Sequence, residues 1–340
     1  MQPQLEGKVD KGPENQAFWM GVGIIAVAII LIIMALCTNV FNSDDALFYV
    51  SGDGIDHEQE DIEKIFDADN NDDDTPPQIS GDEDDLFVYF FDVGQGDCTF
   101  IENKGFTMLI DAGNNPDGKY ISKYLRNTLK IDTINYLVAT HSHEDHIGGM
   151  DIIIEDFNVE NFFIPAQKVE SKSYNDVIDW ADIKELDAVS PEIGREFYVG
   201  DAVCRIVAKD DITDDLNASS IVIELTYKGK KFLFTGDMIA EKEEARTWDD
   251  IDVLTVAHHG STYSSTQDFL NQTLPEIAVI SCGRDNDYYY PHEAVLRRLE
   301  NVGCEEIYIT SEDNTVIITT DGNTITAQTQ AIILDGNTEK

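Results

Sequence analysis

Residues 139–149 read Ala139-Thr140-His141-Ser142-His143-Glu144-Asp145-His146-Ile147-Gly148-Gly149. The run before it, 134–139, is rich in β-branched and aromatic residues and predicts a strand. The run after it, 148–157, has helical apolar spacing. In an extended loop, residues two apart point the same way, so His141 and His143 can hold one metal together. A turn at Asp145-His146 offers a carboxylate and an imidazole to a second metal. Gly148 and Gly149 let the backbone turn tightly into the helix. The chain has seven histidines, and three of them fall within these six residues, which is a strong departure from a chance polar loop. Imidazole and carboxylate without thiolate suit zinc, with manganese or iron as alternatives.

Working outward, short strands are predicted at 86–92, 98–102, 107–111, 202–208, 220–227, 230–234, 253–257 and 277–281. Helices are predicted at 117–129, 175–186, 265–274 and 293–301, with a closing hairpin at 315–320 and 324–328. Early hairpin strands followed by alternating strands and helices predict an α/β fold of sheets covered by helices. The five cysteines, at 37, 98, 204, 282 and 304, form no CxxC pair, which argues against a thiolate zinc site or a dense disulfide framework.

The rest of the chain is organised differently. Residues 1–16 form a short polar tail. Residues 17–38 are an uncharged apolar run, about the length that crosses a bilayer as one helix. Lys8 and Lys11 precede it, and no Lys or Arg follows until Lys64. This bias predicts a single-pass anchor in the cell membrane, with a cytoplasmic N-terminus and an extracytoplasmic remainder. Residues 39–85 hold 17 acids and one base, the composition of an extended acidic linker. Within it, 67–71 imitate the start of a calcium loop, but Asp72 and Gln78 replace the Gly and Glu that such a loop needs. Residues 86–340 carry the folded domain. The formal charge of −43 argues against a protein that grips nucleic acid with a broad basic surface.

The HxHxDH run 141–146 resembles the signature of the metallo-β-lactamase superfamily. Further pieces follow in family order: Asp92-Val93-Gly94-Gln95-Gly96-Asp97, Ile110-Asp111-Ala112-Gly113, Asn217-Ala218-Ser219-Ser220, Thr235-Gly236-Asp237, His258-His259-Gly260-Ser261 and Tyr290-Pro291-His292. Over residues 86–312 this ordered set is similar to the extracytoplasmic hydrolase domain of ComEC-type competence proteins. The resemblance implies a four-layer αβ/βα sandwich holding two divalent metal ions, zinc or manganese. It implies His141, His143, Asp145, His146, Asp237, His258 and His292 as ligands, with Asp237 bridging. Strand alternation would point His258 and His259 in opposite directions, leaving one for the leaving group; His258 is favoured as the ligand. Asp111 would act behind the ligands and orient the metal loop, while Asp92 and Asp97 would do the same or cap the turn. Asn217 and Ser219 would bind a substrate oxyanion, and Asp145 or His259 would relay a proton. Many superfamily members carry one more His between 146 and 258; none is present here, so one ligand position is open.

The implied activity is metal-assisted hydrolysis of a phosphodiester by a metal-activated water. Single-stranded DNA and a small or wall-linked phosphodiester are the candidate substrates. Acyl, thioester or lactam hydrolysis on the same fold and an inactive surface binding module are the alternatives. Residues 86–340 hold 46 acids and 20 bases, which disfavours a long polyanion unless metals reverse the sign locally. One span cannot form a DNA channel, and no segment signals an obligate protein partner.

Overall fold

The computed structural model describes residues 81–331. The tail 1–16, the anchor at 17–38, the calcium-loop candidate and most of the acidic linker lie outside the described residues. Among the described residues, no helix is long and apolar enough to cross a membrane.

The strand β1 (Leu86–Phe90) shows how the layers arise. Leu86, Val88 and Phe90 enter one core, while Tyr89, with Phe91 just beyond the strand, enters another. Successive side chains on a strand alternate faces, so a strand apolar on both faces must be covered on both. The same alternation recurs in β12 (Lys230–Phe234), where Phe232 and Phe234 face the first core and Leu233 faces a third.

The first sheet contains β1, β2 (Thr99–Asn103), β3 (Phe106–Ile110), β5 (Tyr136–Val138), β7 (Phe162–Phe163), β8 (Ala188–Val189), β16 (Thr315–Thr320) and β17 (Ile325–Gln330). Its order is β17-β16-β1-β2-β3-β5-β7-β8. A separate two-residue pair joins β4 (Thr133–Ile134) to β6 (Asn158–Val159). The second sheet is ordered β15-β14-β13-β12-β11-β10-β9. Its further members are β9 (Glu196–Val199), β10 (Ala202–Ala208), β11 (Val222–Tyr227), β13 (Val253–Thr255), β14 (Ile277–Ile280) and β15 (Glu306–Ile309). Each sheet is antiparallel on one side and parallel on the other: β3, β5, β7 and β8 run parallel, as do β12 to β15.

The two sheets pack face to face through a core that includes Val88, Ile101, Met108, Ile223, Leu225 and Phe232. Helices Asp117–Asn127, Met150–Asp156 and Lys172–Ile183 cover the outer face of the first sheet. Helices Gln267–Thr273 and Glu293–Asn301 cover that of the second. This is the αβ/βα sandwich. Five strands, β6, β7, β8, β9 and β15, are absent from the sequence reading, and β6 and β7 are only two residues each. β8 and β9 are short or half exposed, and β15 follows a helix with few apolar residues. The predicted helix at 175–186 begins and ends earlier, because Ser171 caps it by accepting the Tyr174 N–H. Among the described residues Cys98, Cys204, Cys282 and Cys304 are free thiols.

Gly148 and Gly149 have a different basis from the one the sequence implied. Neither adopts the left-handed region that only glycine favours; φ is −56° and −89°. A Cβ on Gly149 would stand 2.4 Å from the Ala112 carbonyl, and one on Gly148 would stand 2.4 Å from the Asn115 N. The pair is therefore needed for close approach, which seats the histidine loop against the end of β3.

Asn103, at the end of β2, is fully buried and ties the sheets together. Its amide donates to the Asp84 and Asp85 carbonyls, both at 3.0 Å, and its Oδ1 accepts the Asp201 N–H at 2.8 Å, between β9 and β10. Asn103→Ala would strand these backbone groups. We expect it to lower the unfolding free energy by about 2 kcal/mol in a denaturant titration while leaving metal content unchanged.

Candidate metal centre

The polar cluster sits where strands of both sheets end. Asp111 directly follows β3, His141 lies three residues beyond β5, Asp237 three beyond β12, and His258-His259 three and four beyond β13. Parallel strands that finish side by side leave their C-terminal ends facing one crevice, which is where ligands bind in α/β sheets.

Asp237 is the centre of the cluster. It is buried, and its N–H donates to the Ser220 hydroxyl at 3.1 Å. Its Oδ1 lies 3.3 Å from His146 Nε2 and 3.8 Å from His259 Nε2. Its Oδ2 lies 3.8 Å from both His141 Nε2 and His258 Nε2. The imidazoles are fixed from behind. His146 Nδ1 meets Asp111 Oδ2 at 2.8 Å, and Thr140 donates to both oxygens of the same Asp111, from its N–H at 2.8 Å and its hydroxyl at 2.6 Å. His259 Nδ1 meets the Ser281 carbonyl at 2.9 Å and Asp97 Oδ1 at 3.3 Å. A donor contact at Nδ1 fixes the tautomer and leaves Nε2 as a lone pair, which is how metal-binding histidines are held.

Two groups can accept an ion. One comprises Asp97, His146, Asp237 and His259; the other comprises His141, His143 and Asp237. In the first, His146 Nε2, His259 Nε2 and Asp237 Oδ1 are buried without a well-aligned hydrogen bond. Buried polar atoms are normally satisfied, so three orphans gathered at one point call for a cation. Asp145 Oδ2 lies 3.2 Å from His259 Nε2 at the rim of the same group. In the second, His141 Nε2 and His143 Nδ1 are 2.9 Å apart. The donor set, all imidazole and carboxylate, fits divalent metal ions.

The electrostatics agree. Burial pushes the His146 and His259 imidazoles down, but the surrounding carboxylates outweigh it, Asp237 foremost, and hold both well above the ordinary histidine range. Burial also pushes Asp237 up, yet His146, His259 and His141 hold it well below the usual carboxylate range. His141 is lowered by burial and then by its neighbour His146. The pocket is built to stabilise positive charge beside ionised carboxylates.

Several residues depart from their expected places. His259, not His258, joins the buried group. Strand alternation fails there because the chain has left β13 for a tight turn in which His258 and His259 both take left-handed φ, 54° and 53°. His258 is left half-buried, with its Nε2 3.4 Å from the Asn217 amide nitrogen. His292 lies outside both groups. Its Nδ1 accepts the Thr262 N–H at 3.0 Å, so it clips two rim loops together. Asp97 moves inward to touch His259, whereas Asp92 caps its own turn by accepting the Gly94 N–H. Ser219 does not take the oxyanion role: it is buried, and its hydroxyl donates to the Leu216 carbonyl at 2.6 Å. Asn217 stands beside His258 in a short turn, with its Oδ1 buried and unpartnered. Thr140 and Ser220 were missed. Thr140 is legible as a neighbour of the histidine loop, but nothing local marks Ser220 as the acceptor for Asp237.

This fold and this site define a class of αβ/βα proteins with a candidate metal centre between the two sheets. A family model described as "Metallo-beta-lactamase superfamily" matches residues 91–284, and the chain belongs to that superfamily. Curated relatives include "Recombination protein 2" of Haemophilus influenzae, 29% identical over 234 residues, covering 66% of this chain and 27% of that protein. "ComE operon protein 3" of Bacillus subtilis is 27% identical over 235 residues, covering 63% and 30%. The chain therefore spans less than a third of the length of the curated relatives it matches. Among solved structures, the metallo-beta-lactamase fold protein YhfI from Bacillus subtilis is similar at 9% identity, with a TM-score of 0.46 over 69% of this chain and all of that one.

The geometry separates the two adjacent histidines experimentally. His259→Ala should lose the ion held with His146 and Asp237, while His258→Ala and His292→Ala should keep it, as read by elemental analysis of the purified full chain. Asp111→Asn, which removes the support behind His146, should weaken metal affinity about 10- to 100-fold in a competition titration against a chelating dye.

Proposed function

We propose that the chain is a metal-dependent phosphodiesterase that acts outside the cell membrane. Single-stranded DNA or a small or wall-linked phosphodiester is its substrate, and zinc, or alternatively manganese, is its metal. The observation that carries this reading is Asp237, whose two oxygens each face a separate group of candidate ligands. A shared carboxylate between two adjacent ion sites is the arrangement used for in-line displacement at phosphorus. When bound, such ions supply Lewis acidity and make water a nucleophile at neutral pH. His141 and His143 would hold one ion, and His146, His259 and Asp145 the other. The names of the relatives, recombination and competence proteins, support a nucleic acid substrate.

The protein's own groups then have distinct tasks. Asp111, Thr140, Asp97 and Ser281 hold the imidazoles, so the site is organised before substrate arrives. The His258 imidazole stands 3.8 Å from Asp237 Oδ2 with the Asn217 amide beside it, and the pair can hydrogen-bond a substrate oxygen. Asp145, with 29% of its side chain exposed at the rim, would offer the carboxylate oxygen not facing the ion as the acceptor for a proton from water.

Residues 17–38 are the anchor in this proposal, with 1–16 on the cytoplasmic side. The support is the uncharged run and the lysines that precede it. Deleting 1–38 should move the chain from the membrane fraction to the supernatant of lysed cells.

The full chain loaded with zinc or manganese should cleave bis(p-nitrophenyl) phosphate, and a chelator should stop it. Asp237→Asn should lower the rate by about two to three orders of magnitude. Turnover of nitrocefin or a thioester in preference to the phosphodiester would refute the proposal, as would full activity in Asp237→Asn.

A further inference from the structure

Three of the large apolar or aromatic side chains left exposed in the described residues stand on loops that rim the metal centre: Tyr263, Tyr288 and Tyr289, at 75%, 59% and 85% exposure. The loop before His292 is built to present two of them. Asn286 holds it from within: its amide donates to the Gly283 and Tyr290 carbonyls at 2.9 and 2.7 Å, and its Oδ1 accepts the Tyr288 and Tyr290 N–H groups at 3.1 and 2.9 Å. The Tyr288 ring stacks on the Tyr290 ring, with centroids 5.3 Å apart and planes 14° from parallel. Tyr290 in turn lies 5.8 Å from the His258 ring and 6.1 Å from the His259 ring. An aromatic column therefore runs from the two histidines beside Asp237 to solvent, and it ends in an exposed tyrosine. Leaving such a surface wet has no structural benefit, because an exposed aromatic face gains nothing until something stacks on it.

We infer that Tyr288, backed by Tyr290, is a stacking platform for a nucleobase of a single-stranded nucleic acid whose phosphodiester lies at the metal centre. The inference rests on the phosphodiesterase reading and narrows its substrate class. Charge decides between a base and a phosphate as the group this loop receives. Asp285 and Asp287 flank the tyrosines, and the chain as a whole carries −43, so the loop is no phosphate strip. An acidic protein that binds single strands must draw affinity from the uncharged part of the nucleotide, and base stacking on an aromatic ring provides it without sequence preference. Ring geometry decides against a quaternary ammonium such as choline. An aromatic cage needs several rings facing inward around the cation. Here Tyr288 and Tyr290 are stacked on each other and leave one flat outer face, which suits a planar base.

The test is binding, so that it does not depend on turnover. A fluorescein-labelled phosphorothioate dT oligonucleotide and an abasic oligomer of the same length and charge would be titrated into the metal-loaded full chain. The dT oligomer should bind more tightly than the abasic one. Tyr288→Ala should weaken dT binding about tenfold, the loss of about one stacked base, with no change for the abasic oligomer. Tyr288→Trp should retain or improve dT binding, and metal content should be the same in all three proteins. Affinity for dT should fall only shallowly with salt, since few phosphates are neutralised by side chains. Equal binding of dT and abasic oligomers would overturn the platform, as would Tyr288→Ala binding dT as the wild type does. So would competition by phosphorylcholine that depends on Tyr288 in the absence of any base preference. Cleavage of bis(p-nitrophenyl) phosphate without base preference would sink the platform alone. Tyr288-dependent base binding without any phosphodiester cleavage would sink the phosphodiesterase reading alone.

Discussion

Asp237 is 3% exposed, and four imidazoles stand within 4 Å of its two oxygens. Burying one carboxylate costs several kcal/mol unless positive charge accompanies it. This pocket buries Asp97 and Asp111 as well, each paired with an imidazole. Everything around the cluster follows from that constraint. The sheets must end together so that Asp111, His141, Asp237 and His259 meet. The glycine pair 148–149 must let the histidine loop lie against β3. Thr140, Ser220 and Ser281 must use their hydrogen bonds on site residues rather than on solvent. Divalent ions would balance the buried carboxylates and satisfy the orphaned Nε2 lone pairs of His146 and His259.

Much of this was legible in the sequence, for identifiable reasons. The histidine loop stood out because rare residue types were crowded at a spacing that one extended segment can use. The sandwich was legible because strands such as β1 and β12 are apolar on both faces, which only a doubly covered sheet tolerates. The failures are equally physical. His258 and His259 were assigned by strand alternation, but the backbone there is left-handed at both residues, and no rule of period two survives such a turn. His292 fell within a motif that the resemblance linked to metal, yet its Nδ1 is taken by a backbone N–H some thirty residues away. Ser219 carries a hydroxyl at an attractive position, but its own turn uses it on the Leu216 carbonyl. Contacts between segments distant in sequence leave no trace in local pattern.

Twelve non-glycine residues among those described take positive φ, and three of them stand at the site. Asp111, His258 and His259 are all non-glycine residues with φ between 53° and 58°. Each such residue costs on the order of 1 kcal/mol or more and persists only where the surroundings over-determine it. Here the surroundings do so: Asp111 N–H donates to the Val138 carbonyl, His258 N–H to the Gly236 carbonyl, and the next strands pack beneath. The strained positions aim the side chains, because a relaxed strand would have turned His259 away from Asp237.

On the phosphodiesterase proposal, this division of labour would let so acidic a chain accept a phosphodiester. Residues 86–340 hold 46 acids against 20 bases, while the lone-pair donors are gathered around Asp237. Screening over about 8 Å weakens the surface field at physiological salt, whereas divalent ions at the site would act at contact distance in a lower dielectric. A substrate phosphate would therefore be attracted only at the site itself, and the rest of the surface would repel it. Such a protein does not need to hold a long polyanion along its surface. It needs a local positive centre and a neutral grip close by, and the tyrosine column beside His258 and His259 stands within reach of that centre.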